Sequence, residues 1–173
     1  MSLTPPVSED DHVYGNPGAG LLLVEYGDFQ CPHCGRAYPI VKRINERFSD
    51  RLKFVFRNFP LIKIHPQAKL ASIAAESAAL QGKFWEMHNV LFEHQRNLTR
   101  VAILDYATSM GLDIALFSAG LDNEALHKKV DKHFMSGLRS GVNATPSFFI
   151  NGERYLESWE GDDLIEYLER IQA

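Results

Sequence analysis

The spacing of apolar residues along this chain changes repeatedly, and each change predicts an element. Leu21-Leu22-Leu23-Val24-Glu25-Tyr26 is an almost unbroken apolar run of strand length, the pattern of a buried strand. From Cys34 to about Phe48 the spacing becomes three and four residues, placing Ala37, Ile40, Val41, Ile44 and Phe48 on one face of a helix. Leu52 to Arg57 then alternates and is rich in Phe and Val, which predicts a second strand. Strand, helix and strand in quick succession form a βαβ unit, whose crossover makes the two strands parallel neighbours.

From Pro60 to about Gly141 the pattern is helical throughout. Ala68 to Leu80 is rich in alanine, with Leu70, Ile73 and Ala74 on one face, and Phe84, Met87, His88 and Leu91 form a second stripe. Thr99 and Asp113 are N-cap residues for two further helices, Gly111 is a stop between them, and Asp122 is a start for a fifth. Strand character returns in Ser147 to Ile150 and in Arg154-Tyr155-Leu156, which flank the hairpin signal Asn151-Gly152. A last helix runs from about Asp162 to Ile171, with Leu164, Ile165, Leu168 and Ile171 on one face. Residues 1 to about 19 are polar and rich in Pro and Gly, ending in the turn Gly15-Asn16-Pro17-Gly18. The fold class is therefore α/β: β-α-β followed by β-β-α in residues 1–59 and 142–173, with 60–141 as an inserted helical subdomain. Residues 1–11 read as disordered or as a tag.

Composition narrows the function by exclusion. With 173 residues, 45% of them hydrophobic, the chain can build one sizeable core. A formal net charge of -4 leaves no electrostatic footprint for nucleic acid. No apolar run approaches the roughly 18 residues of a membrane span, so no membrane insertion is expected. The N-terminus lacks the basic and apolar regions of a signal peptide, which places the protein in the cytoplasm unless a leader has been removed, in which case it is periplasmic or extracytoplasmic. Met1-Ser2-Leu3 also has the look of a vector remnant.

The chemistry lies in Cys31-Pro32-His33-Cys34, the only two cysteines of the chain, spaced for thiol–disulfide exchange. A zinc site needs four ligands, and no two of the seven histidines stand three to five residues apart to supply the other half. Neither a metal nor an organic cofactor is expected. Cys31 falls where the first strand turns into the helix; unpaired N–H groups and the helix dipole there favour a thiolate. Cys31 is thus the reactive sulfur and Cys34 its partner. Asp28, in the turn Gly27-Asp28-Phe29-Gln30, reads as an exposed or capping residue. Phe84, Trp85, Met87, Phe92, Phe117 and Phe134 suit a core better than a substrate groove.

With Cys31-Pro32-His33-Cys34, Thr145-Pro146 directly before the hairpin and Glu25 six residues ahead of the first cysteine, the chain resembles the DsbA-like thiol:disulfide oxidoreductases of the thioredoxin superfamily from His12 onward. The segment Val24 to Cys34 is similar to thioredoxin-like domains sometimes fused to membrane transporters. The resemblance implies that Pro146 is cis and lies against the cysteines, so that the Thr145 backbone pairs with an extended substrate. It implies that Glu25 is a buried acid that moves a proton to or from Cys34. It also makes Pro32 and His33 tuning residues, with the His33 imidazole stabilising a Cys31 thiolate. The expected protein is a monomeric dithiol oxidase acting on protein or peptide thiols and recycled by an unidentified redox partner. A cytoplasmic disulfide reductase, or a non-catalytic peptide-binding module of a larger fusion, remain open beside it.

Overall fold

The computed structural model describes residues 1–172. Its centre is a five-stranded sheet of order β1-β3-β2-β4-β5. The strands are β1 (His12–Gly15), β2 (Leu21–Gly27), β3 (Leu52–Asn58), β4 (Ser147–Ile150) and β5 (Glu153–Arg154). The helix α1 (Pro32–Phe48) crosses from β2 to β3, which lie parallel, with Leu21 opposite Leu52 and Gly27 opposite Asn58. β4 runs antiparallel to β2, pairing Glu25 with Phe148, and β5 closes the hairpin. Between β3 and β4 come α2 (Ala68–Ala79), α3 (Phe84–Glu93), α4 (Arg100–Ser109), α5 (Ile114–Leu121) and α6 (Glu124–Arg139); α7 (Asp163–Gln172) ends the described chain. From β2 onward the expected order β-α-β, helices, β-β-α is the observed one.

The apolar periods explain the layers. β2 and β3 bury both faces, as central strands between two layers must. Leu23, Phe54 and Phe56 on one face join Ala37, Val41, Ile44 and Phe48 of α1 and Ala71, Ala74, Met87 and Leu91 of the inserted helices in one continuous core. Each of the large side chains contributes about 1.5–3 kcal/mol by leaving water. Phe84, Met87, Phe92 and Phe117 belong to this core, as expected, with Trp85 packed at its margin. Val24, Tyr26, Val55, Phe59 and Phe149 form a smaller core on the opposite face, with Phe134 stacked on Phe59 at 4.3 Å.

The departures from expectation are at the edges. Residues 1–11 are ordered against the smaller core instead of disordered. Leu3 is buried in that core, and its N–H donates to Gly152 O at 2.7 Å. Buried Arg57 holds the following residues: it donates to Asp11 (2.8 Å to each oxygen), Pro5 O (3.0 Å) and Pro6 O (3.2 Å). A lone buried guanidinium is costly, so the polar leader that pairs with it stays folded down. β1 was also missed, because a short edge strand with one aliphatic residue has no readable period. It pairs antiparallel with β3, and its His12 stacks on Phe84 at 3.7 Å. The second hairpin strand is shorter than Arg154-Tyr155-Leu156, leaving Leu156 exposed. Thr99 and Asp113 cap α4 and α5 as expected, whereas Asp122 ends α5 and Asn123 caps α6.

Candidate active site

The reactive turn is built by Asp28. Of the two expectations for it, exposed or capping, the structure has the second, with the carboxylate fully buried. Oδ1 accepts from Gln30 N at 2.8 Å and Cys31 N at 3.2 Å, an Asx-type turn that ends β2 and starts α1. Oδ2 accepts from Leu61 N at 2.9 Å and lies 2.7 Å from His65 Nδ1, which ties the turn to the segment leaving β3. The Asp28 N–H reaches Cys34 Sγ at 3.4 Å. From the inserted helices, Gln95 Nε2 donates to Phe29 O (2.8 Å) and Cys31 O (2.9 Å). Gln95 Oε1 fills the space that a Cβ at Gly35 would take, so the fourth residue of α1 has to lack a side chain. Asp28, His65 and Gln95 were not singled out as site residues. An Asp three residues before a helix-starting Cys is a readable capping signal, but nothing in the sequence joins Gln95 to the turn.

Cys31 is the N-cap of α1 and Pro32 its first helical residue, where the missing N–H costs nothing. No acidic residue stands in the first turn of α1 to oppose a negative sulfur. Both cysteines are free thiols; Cys34 is completely buried and Cys31 is 3% exposed. A hydrogen bond from Cys34 is the largest stabiliser of a Cys31 thiolate. Burial opposes it, and donors at Thr145 and the backbone N–H groups of Cys34 and His33 add to it, bringing Cys31 from 9.0 to about 5. Burial pushes the Cys34 thiol well above 9.0, and its donation to Cys31 and the nearby Glu25 push the same way. Two thiols three residues apart are therefore driven in opposite directions, Cys31 toward the thiolate and Cys34 toward the thiol.

The remaining expected residues converge on this pair. Cys31 Sγ lies 3.6 Å from Thr145 O, and the Thr145–Pro146 bond is cis. The Thr145 hydroxyl is buried and has no hydrogen-bond partner. Glu25, inside β2, is buried, and its Oε1 has no partner. Burial, with the Cys31 charge added, raises this carboxyl to about 8. His33 is where the geometry departs. Its ring is exposed and its Nδ1 accepts from Arg36 Nη2 at 2.7 Å, so the backbone N–H of His33, not its imidazole, serves the sulfur.

A β-α-β/β-β-α sheet with a dithiol at the head of α1 defines a thioredoxin-type fold, and the comparisons with known proteins agree. The chain belongs to the thioredoxin family, whose model matches residues 7–170. Among solved structures it is similar to BdbD from Bacillus subtilis, with a TM-score of 0.84 and 26% identity over 95% of this chain and 94% of that one. The thiol-disulfide exchange protein alpha-DsbA2 from Wolbachia pipientis gives a TM-score of 0.83 at 18% identity over 95% of this chain and 88% of that one, a likeness of fold alone. The fold is that of the DsbA-like thiol–disulfide oxidoreductases. Among curated proteins, the Na(+)/H(+) antiporter NhaA 1 of Mycobacterium sp. (strain KMS) is 41% identical over 98% of this chain. The Na(+)/H(+) antiporter NhaA of Herminiimonas arsenicoxydans is 38% identical, also over 98%. The chain spans only 28% and 27% of the length of these two relatives. Among the described residues no helix is long and apolar enough to cross a membrane.

Proposed function

We propose that this chain is a DsbA-like dithiol oxidase that transfers its Cys31–Cys34 disulfide to protein or peptide thiols. The observation that carries the reading is the split between the two sulfurs, with Cys31 at about 5 and Cys34 far above its ordinary range. A client thiolate attacks Cys31 Sγ of the enzyme disulfide and Cys34 leaves with the electron pair of the S–S bond. The leaving thiolate takes a proton from Glu25, which at about 8 is mostly a neutral acid at pH 7. The second client thiolate then attacks its own sulfur in the mixed disulfide, and Cys31 leaves as a stabilised thiolate. The client is oxidised to a disulfide and the enzyme is reduced to the dithiol. Thr145 O and the segment around Pro146 offer an extended client a backbone partner beside Cys31.

Stabilising the reduced form makes the disulfide a strong oxidant, which suits an oxidising, extracytoplasmic compartment. The protein acts as a monomer and is reoxidised by a separate redox partner. A glutathione titration tests the reading: the reduction potential should be more oxidising than the roughly -270 mV of thioredoxin. A value at or below that figure makes the protein a reductase instead. The length of the antiporter relatives favours a second reading, in which this unit is one domain of a transporter fusion and docks peptides without catalysis. Peptide oxidation that is lost in Cys31→Ser separates the oxidase from a docking module.

A further inference from the structure

Cys34 is completely buried, so a Cys34 sulfur that leaves with the electron pair of the disulfide must carry its charge inside the protein. Among the described residues one backbone group donates to it, the Asp28 N–H at 3.4 Å. Burial, the hydrogen bond with Cys31 and the charges of Glu25 and Cys31 push Cys34 toward the thiol, and this N–H pulls the other way. While a client is bonded to Cys31, that sulfur has no hydrogen to offer, and the Asp28 N–H remains.

The peptide that carries this N–H is held from several sides. The Gly27–Asp28 bond is trans, so its carbonyl and its N–H point in opposite directions. The Gly27 carbonyl accepts from Phe59 N at 2.8 Å, just past the end of β3, which sends the Asp28 N–H toward α1 and Cys34. A Cβ at Gly27 would stand 2.4 Å from the Phe56 ring, so the chain can pass here only as glycine. On the side chain, Asp28 Oδ2 is held by Leu61 N at 2.9 Å and His65 Nδ1 at 2.7 Å, while Oδ1 caps the turn. With backbone N–H groups on both oxygens, the carboxylate is the acceptor and His65 Nδ1 carries the hydrogen. The His65 side chain is 15% exposed and that of Asp28 not at all, which separates this pair from the exposed ones that contribute little. His65 is itself fixed by a turn, its N–H donating to Leu61 O at 2.8 Å. The segment leaving β3 thus clasps the redox turn through Phe59, Leu61 and His65.

We propose that the Gly27–Asp28 peptide is a preformed anion hole for the Cys34 thiolate, and that His65 is the positioning residue that holds it through the Asp28 carboxylate. When a client thiolate attacks Cys31 Sγ, the electron pair of the S–S bond passes to Cys34 Sγ, and the Asp28 N–H takes up that charge until the sulfur is protonated. In the reverse direction the same N–H favours the Cys34 thiolate that attacks Cys31 Sγ in a mixed disulfide. A donor already aimed at the place where charge develops, in a dry site, needs no reorganisation when the bond breaks. A hydrogen bond to a charged group changes an equilibrium roughly 10- to 100-fold. A less stabilised thiolate is also a better nucleophile, which returns about half of this on a logarithmic scale and leaves a rate effect of roughly 3- to 10-fold. The inference rests on the leaving and resolving role given to Cys34 above.

Dithiobis-nitrobenzoate reads the two sulfurs of the reduced protein separately. The Cys31 thiolate attacks the reagent disulfide and releases one coloured nitrothiobenzoate; Cys34 then gives its proton to solvent, attacks Cys31 Sγ and releases the second, leaving the Cys31–Cys34 disulfide. In His65→Leu the second release should slow about 3-fold, with a smaller change in the first. His65→Asn, whose amide nitrogen donates to Asp28 from the place of Nδ1, should restore the wild-type rate. A second variant removes the N–H itself and leaves every side chain in place: a synthetic 1–30 segment, with an ester for the Gly27–Asp28 amide, joined to residues 31–173 through Cys31. It serves if His65→Leu does not fold, and its second release should slow about 3- to 10-fold. A wild-type second release in the ester overturns the anion hole, and one in His65→Leu overturns the part given to His65. Equal slowing of both releases overturns the proposal as well, because the turn as a whole has then been distorted. A wild-type protein that gives no second release overturns the resolving role of Cys34 itself.

Discussion

Removing the Cys31 sulfur should change how the reduced protein responds to pH. Its thiol falls from 9.0 to about 5 in the folded protein, a depressed acid. Such a group stabilises the fold fully above the unfolded value and loses that contribution as pH falls through the folded one. The window is therefore between about 5 and 9. At pH 7 the folded thiol is about two units past its midpoint while the unfolded thiol is still protonated. At about 1.36 kcal/mol per unit this amounts to about 2.7 kcal/mol. Solvent screening at the mouth of the turn reduces it to about 2 kcal/mol, equivalent to about 45 mV in the potential of the couple. Urea unfolding of reduced wild type and Cys31→Ser at pH 5 and pH 7 measures the term. The stability gap between the two proteins should widen by about 2 kcal/mol at the higher pH. Alkylation followed over the same range should show Cys31 reacting from mildly acidic pH and Cys34 remaining slow. A stability gap independent of pH, or equal alkylation of both sulfurs, would refute the assignment.

Cys34→Ser should accumulate covalent client adducts that Cys31→Ser does not form, read on non-reducing gels, because only Cys34 is placed to resolve a mixed disulfide at Cys31. Asp28→Ala strands the N–H groups of Gln30 and Leu61 while Cys31 N–H keeps the Asp28 carbonyl, and should cost about 2–4 kcal/mol in urea unfolding, with slower peptide oxidation. A loss below about 1 kcal/mol would mean that water replaces the carboxylate.

The redox centre was legible because its parts are local. Cys31 and Cys34 share one helical turn, a buried strand precedes them, and Glu25 stands out as a charge inside an apolar run. The same holds for β2, β3 and the long helices, whose patterns are extensive enough to read. What the sequence pattern hid was carried by single residues with distant partners. Asp28 reads as an exposed or capping turn residue, and its second role appears only when Leu61 and His65 fold onto its other oxygen. Gln95 meets the Cys31 carbonyl only because α3 ends beside the turn. The polar leader is ordered by Arg57, a residue that looks like the end of a strand. His33 went the other way: its place between the cysteines suggests an imidazole on the sulfur, and Arg36 one turn later draws the ring outward. Periodicity and short spacings therefore determined the fold and marked the two candidate sulfurs. Hydrogen-bond partners far apart in the chain, which only the tertiary structure brings together, decided how those atoms are held and charged.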